Sequence, residues 1–188
     1  MIYTDKIKIS TVNFKSDIVE IENHFRAGEY MVDTMLEPLH TAYLRKIHNL
    51  LFYGTEADKD GVMRTGEFRT KETKYGIPPK EISKAVTALL KEYESKKTKT
   101  MEDILNFHVR FESIHPFQDG NGRVGRLIMF KECLKHNIVP FIITEELKMF
   151  YNRGIKEWKN ERGYLRDTCL TGQDAMKVSL DYFGIKYE

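Results

Sequence analysis

Cysteine is nearly absent from the chain. Only Cys133 and Cys169 occur, in neither a CxxC nor a disulfide-framework spacing, which excludes a disulfide-stapled scaffold and points to a reducing compartment. Long hydrophobic runs are missing too. No apolar stretch approaches the length needed to span a bilayer, and MIYTDKIKISTVNFK lacks the unbroken apolar core of a secretory leader. A cytoplasmic protein without a membrane partner is therefore expected. Neither sign of charge prevails: 30 Lys and Arg stand against 28 Asp and Glu, so the net charge of +2 gives no general attraction to nucleic acid. Any anion binding must be local. Neither internal repeats nor a strand-rich region occurs, which leaves an all-α class with one small hairpin.

What is present is helical periodicity. EPLHTAYLRKIHNLLF spaces Leu39, Tyr43, Ile47, Leu50 and Leu51 along one face, with Pro38 tolerated in a first turn. YGTEADKDGVMRTGEFRTKETKYGIPP is dense in Gly, Thr and charge, with Val62, Phe68 and Tyr75 too sparse for a helical face, and reads as a loop carrying a short hairpin. Helical spacing returns at Ile82, Val86, Leu89 and Tyr93, and Thr100 with Asp103 forms a capping pair for MEDILNFHVRFESI, whose Met101, Ile104, Leu105, His108 and Phe111 share a face. RVGRLIMFKECLKH, with Val124, Leu127, Ile128 and Leu134, predicts a buried helix stopped by Asn137 and Pro140. Thr144 and Thr171 read as N-caps of two further helices, the last ended by Gly184. DIVEIENHF fits either a helix or a strand.

Between two of these helices lies HPFQDGNGRVGR, His115 to Arg126. Gly120, Asn121 and Gly122 make the turn, and glycines there let backbone N–H groups approach an anion at the start of a helix whose first donors are unpaired. Arg123 and Arg126, three apart, can converge on neighbouring phosphates with planar guanidinium forks. Asp119 is a hard oxygen donor suited to Mg²⁺ on a nucleotide. His115 carries the side chain whose unperturbed pKa suits a general base near neutrality, and Phe117 is the apolar anchor of the loop. Together these groups point to phosphoryl or nucleotidyl transfer onto a nucleophile that must lose a proton. A rival grouping, the two ExxH pairs Glu37/His40 and Glu112/His115, has the spacing of a helix-bundle di-metal site. It leaves both arginines and the glycine turn without a role, and its prolines put each pair at a helix edge.

The stretch resembles the signature of the Fic domain family, HxFx(D/E)GN(G/K)RxxR, at every specified position. HVRFESIHPF is similar to the helix leading into that loop, RTGEFRTKETKYGIPPKEI to the family's flap, and MFYNRGIKEW to its tyrosine-containing helix near the nucleotide base. The resemblance implies a Fic-type helical bundle with a small β-hairpin flap over residues 35–188, preceded by an N-terminal segment, 1–34. It implies protein adenylylation, with AMP moved from ATP to a Ser, Thr or Tyr hydroxyl of a target protein or of the chain itself. His115 would deprotonate that hydroxyl and Asp119 would hold Mg²⁺. Gly120, Asn121 and Gly122 would form the anion hole, Arg123 would bind the inner phosphates and Arg126 the γ-phosphate. Flap residues Lys71, Glu72, Thr73 and Lys74 would contact the target and the nucleotide. Where the family often has two tyrosines at the base, Phe150 and Tyr151 stand here, leaving Tyr151 as the polar contact. A homodimer is compatible with this picture.

Many members carry an inhibitory helix, (S/T)xxxE(G/N), whose glutamate pairs with the second signature arginine. Glu22-Asn23 matches its end, with Ile18 in place of Ser or Thr; in the other register Ser16 and Glu20 match and Ile21 does not. The neighbouring IEN favours Glu22, with Arg126 as its partner. The same residues also suit transfer of another phosphate-containing group, or removal of AMP with Glu22 positioning water. A nucleotide-sensing module without turnover is the non-enzymatic reading, against which an intact base and metal ligand argue.

Overall fold

The capping pair sets the frame of the central helix. In the computed structural model, which describes residues 14–59, 61 and 64–187, Thr100 and Asp103 satisfy each other's backbone donors reciprocally, opening α5 (Met101–Ile114). Around it stand α1 (Phe14–Asp33), α2 (Thr41–Phe52), the short α3 (Glu56–Lys59), α4 (Pro79–Ser95), α6 (Asn121–Lys135), α7 (Glu145–Glu157) and α8 (Gly163–Tyr182). Among the described residues there is no strand, and no helix is long and apolar enough to cross a membrane. Residues 1–13 of the N-terminal segment, and Val62, lie outside the described residues.

Two apolar clusters share α5 and α6. One joins α1, α2, α4, α5 and α6 around Tyr43, Ile47, Leu51, Val86, Phe111 and Phe117; the other joins α5 through α8 around Leu105, Met129, Tyr151, Trp158 and Leu165. Helix α6 is buried on more than one face, with Val124, Gly125, Ile128 and Cys133 all inside, as expected of a central helix. It even buries a charge pair. Lys131 Nζ donates to Glu132 Oε1 at 2.8 Å and to the Glu37 carbonyl at 2.7 Å, while Tyr93 Oη donates to Glu132 Oε2 at 3.0 Å. These bonds tie α6 to α4 and to the turn after α1.

Several elements depart from expectation. DIVEIENHF is helical throughout. Pro38 does not enter a first turn: α2 starts at Thr41, and His40 caps it by accepting from the Tyr43 amide at 3.2 Å. Thr171 is not an N-cap. Helix α8 begins eight residues earlier, and the Thr171 hydroxyl donates to the Asp167 carbonyl one turn back, the alternative that lets threonine sit inside a helix. The expected hairpin is irregular chain without a ladder, its backbone held by one arginine side chain instead of a partner strand. Gly184 does end α8. Its left-handed φ of 67° accompanies bonds from the Ile185 amide to Leu180 and from its own amide to Asp181, the paired bonds of a Schellman motif.

Candidate active site

His115 is the residue on which α5 ends. It takes a left-handed conformation (φ 54°, ψ 61°), its amide still bonded to the Phe111 carbonyl at 3.0 Å, so the chain turns sharply and Pro116 and Phe117 dive into the core. Phe117 is fully buried and stacks on His48 of α2 with ring centroids 4.0 Å apart. The Asn121 carboxamide then brackets Phe117, accepting from its amide at 2.8 Å and donating to its carbonyl at 2.9 Å. Asn121 is thus spent on the loop's own backbone. Its backbone N–H stays among the first-turn amides of α6, which the helix leaves unpaired and which an anion would meet.

Gly120 supplies the bend before α6. Its φ is 75°, and a Cβ there would lie 2.2 Å from the Phe52 ring. Gly120→Ala therefore combines left-handed strain with an aromatic clash, and is expected to cost about 2–5 kcal/mol in thermal or denaturant unfolding. An unfolding midpoint equal to the parent's would contradict this packing.

Two residues that pattern reading passed over hold the loop. His48 accepts from the Gly66 amide at 2.8 Å through Nδ1, and its Nε2 is 3.2 Å from the Asp119 carbonyl, so the ring carries its proton on Nε2. Burial pushes its pKa down to about 4 and keeps it neutral in that role. Arg69, 5% exposed, reaches from the flap with Nε on the His115 carbonyl at 2.7 Å, Nη1 on the Lys71 carbonyl at 3.0 Å and Nη2 on the Ile77 carbonyl. The Arg69 amide also donates to the Pro116 carbonyl, and that of Ile77 to Ile114. The flap is thereby fastened at both ends to the turn containing His115, leaving Lys71, Glu72 and Lys74 exposed and Thr73 half-buried. His48 sat unremarked on the apolar face of α2, the only local signal it had; Arg69 had none.

The His115 pKa is lowered, first by burial and next by the Arg69 guanidinium, with hydrogen bonding to the Glu112 carbonyl opposing. Asp119 is open to solvent. Its Oδ1 accepts from the Gly120 amide at 2.6 Å, and Oδ2 stands 3.6 Å from Arg123. Among the described residues, no three His, Cys, Asp or Glu could hold a metal ion alone, which removes the ExxH di-metal arrangement from this structure. A lone exposed carboxylate does fit Mg²⁺ delivered with phosphate oxygens, the usual mode for that ion.

Arg123 lies over the Phe52 ring at 4.2 Å and donates to Glu20 Oε2 of α1 at 2.7 Å. The acidic residue that α1 brings to the signature is thus Glu20, and its partner is the first arginine. Glu22 points elsewhere, 3.7 Å from Arg26 on an exposed face. Arg123 and Arg126 both line a cavity of about 280 Å³, together with His24 of α1, Leu127, Phe130, Ile142 and Ile143. Tyr151 is buried, its hydroxyl 2.5 Å from His108 Nε2 and its ring 6.0 Å from the Arg126 guanidinium; Phe150 is exposed. Tyr151 therefore stands beneath Arg126, its hydroxyl occupied within the protein.

A histidine at the rim of a turn, an exposed carboxylate and two arginines are gathered around the start of α6. The Fic/DOC family model matches residues 38–133, half of the chain and the whole of this site. The chain belongs to the Fic/DOC family. A protein from Aquifex aeolicus named probable protein adenylyltransferase is 38% identical over 53 residues, 28% of this chain but only 17% of that protein's length. Among solved structures, a Fic domain containing signaling protein from Bacteroides thetaiotaomicron superposes with a TM-score of 0.72 at 18% identity, covering 93% of this chain and 75% of the other. Fic-1 from C. elegans gives 0.72 at 15%, covering 98% and 55%. BepC from Bartonella tribocorum, solved with bound AMPPNP, gives 0.59 at 18%, covering 86% of each. At these identities the structures share the fold.

Proposed function

We propose that the chain is a protein adenylyltransferase restrained by its own α1. The observation that carries this reading is the convergence at one turn of His115, the Asp119 carboxylate and the two arginines that share a cavity. The Aquifex relative's name and the AMPPNP bound to BepC support ATP as the substrate.

The hydroxyl of a target Ser, Thr or Tyr passes its proton to the His115 imidazole as its oxygen attacks the α-phosphorus of ATP. The new O–P bond forms as the bond to the pyrophosphate oxygen breaks. Arg123 and Arg126 hold the tail and take up charge as it leaves, joined by the amides at the start of α6. Asp119 would hold Mg²⁺ against the phosphates, where the ion supplies Lewis-acid neutralisation of their charge. The fastened flap offers exposed backbone along which an extended target segment lies. Glu20 restrains the reaction by occupying Arg123.

Incubation of the Glu20→Ala chain with Mg²⁺, a cell lysate and ATP tests this reading. Label in the α-phosphate should appear on protein above a lysate without the chain, and label in the γ-phosphate should not rise above that control. Transfer from the γ-position alone would make the chain a kinase and sink the proposal.

A further inference from the structure

Beneath the signature, α5 and α6 touch at Gly125. A Cβ there would fall 2.6 Å from His108 Cε1, 2.7 Å from His108 Nδ1 and 3.1 Å from Glu112 Oε1. Two polar side chains of α5, one turn apart, thus converge under the residue that precedes Arg126. From α7 comes Tyr151, whose hydroxyl meets His108 Nε2 at 2.5 Å. His108 is fully buried, and among the described residues neither its Nδ1 nor Glu112 Oε1 has a partner. Buried polar atoms without partners are costly, and a carboxyl most of all. The cation whose charge acts on Glu112, His108 and Tyr151 alike is Arg126.

We propose that Glu112, with the His108–Tyr151 pair, is the seat that positions the Arg126 guanidinium for the terminal phosphate of a nucleoside triphosphate. The seat rests on the reading that Arg126 binds that phosphate. The hydrogen-bond polarity is consistent along the chain of groups. The Tyr151 hydroxyl passes its hydrogen to His108 Nε2, which leaves its oxygen able to accept from Arg126, a group that can only donate. His108 then carries its proton on Nδ1, on the side that meets Gly125 and without a hydrogen-bond partner among the described residues. Burial and then Arg126 lower the His108 pKa to about 3, so the ring stays neutral in this relay. The groups that meet Glu112 are His108 from its own helix, Arg126 from α6 and Tyr151 from α7. Gly125 is what allows the approach, because any side chain there would displace His108. Glu112 is a positioning residue here: it touches no substrate.

Calorimetric binding of ATP and ADP to the Glu20→Ala chain, alone and with Glu112→Gln, Tyr151→Phe or Arg126→Gln added, tests the seat. Glu112→Gln should weaken ATP about tenfold while keeping ADP within about twofold, because it removes the buried carboxyl beneath Arg126 and leaves the rest of the nucleotide site in place. Tyr151→Phe should show the same selectivity, which keeps the test decisive if the glutamine variant folds poorly. Glu112→Gln added to Arg126→Gln should cost nothing more, since the two act as one unit. Equal weakening of ATP and ADP, or additivity with Arg126→Gln, overturns the seat. A parent chain that binds both nucleotides equally overturns the γ-phosphate reading of Arg126 and the seat with it. A parent that prefers ATP, with a Glu112→Gln variant of unchanged preference, overturns the seat alone.

Discussion

Replacing His115 by asparagine should lower AMP transfer by about 10²- to 10⁴-fold, the usual worth of a positioned general base, while ATP affinity and the unfolding midpoint hold. Asparagine is the sharper probe, because His115 sits at φ 54° and asparagine tolerates the left-handed region better than alanine does. Its loss therefore reports chemistry and not backbone strain. The pH profile carries a second expectation. Burial and the Arg69 guanidinium both disfavour the imidazolium, so the pKa of the base lies below that of an ordinary histidine. As pH falls, kcat/KM should hold through the normal histidine range and decline only beneath it. Rates measured from mildly acidic to neutral pH check this. An acid limb at or above the ordinary histidine value would contradict the site.

Glu20→Ala should raise transfer about five- to thirtyfold at limiting ATP, whereas Glu22→Ala should leave it unchanged. The Glu20–Arg123 contact is a charge-assisted bond at 2.7 Å, with the two side chains 41% and 29% exposed. Solvent screening reduces its worth to about 1–2 kcal/mol, which sets that range. Glu22 faces Arg26 across 3.7 Å with both side chains 60% exposed, a pair of the kind that contributes little. Alanine keeps α1 helical, so the difference between the two variants isolates the carboxylate that reaches the signature. Initial rates at several ATP concentrations decide it; activation by Glu22→Ala and not by Glu20→Ala would reverse the assignment.

The choice between those glutamates shows where reading the sequence stops. Two residues along a helix is about 200° of rotation, so Glu20 and Glu22 face nearly opposite ways. The phase of α1 is set by Asn23, Ala27 and Met31, all buried, with Asn23 donating to the Leu51 and Tyr53 carbonyls. That phase turns Glu20 toward α6 and Glu22 outward. A motif match scores neighbours in sequence, and IEN favoured the glutamate that faces Arg26 over the one that reaches the signature. By contrast, the Thr100–Asp103 box and the Gly184 stop were legible because both are made by residues within a few positions of each other. The signature itself was legible for the same reason: His115, Asp119 and the glycine turn depend on local geometry. The bracket that the Asn121 carboxamide makes on Phe117 was not legible, since only the folded loop brings the two together. Arg69, His48, and the pairing of His108 with Tyr151 join residues far apart in the chain, and no periodicity carries that information.

The most direct test of the central claim is the intact mass of the Glu20→Ala chain after incubation with ATP and Mg²⁺. A gain of one AMP on a hydroxyl side chain is expected, absent when His115 is also replaced by asparagine. A protein that binds ATP yet gains no mass, or gains only a phosphate, would contradict it.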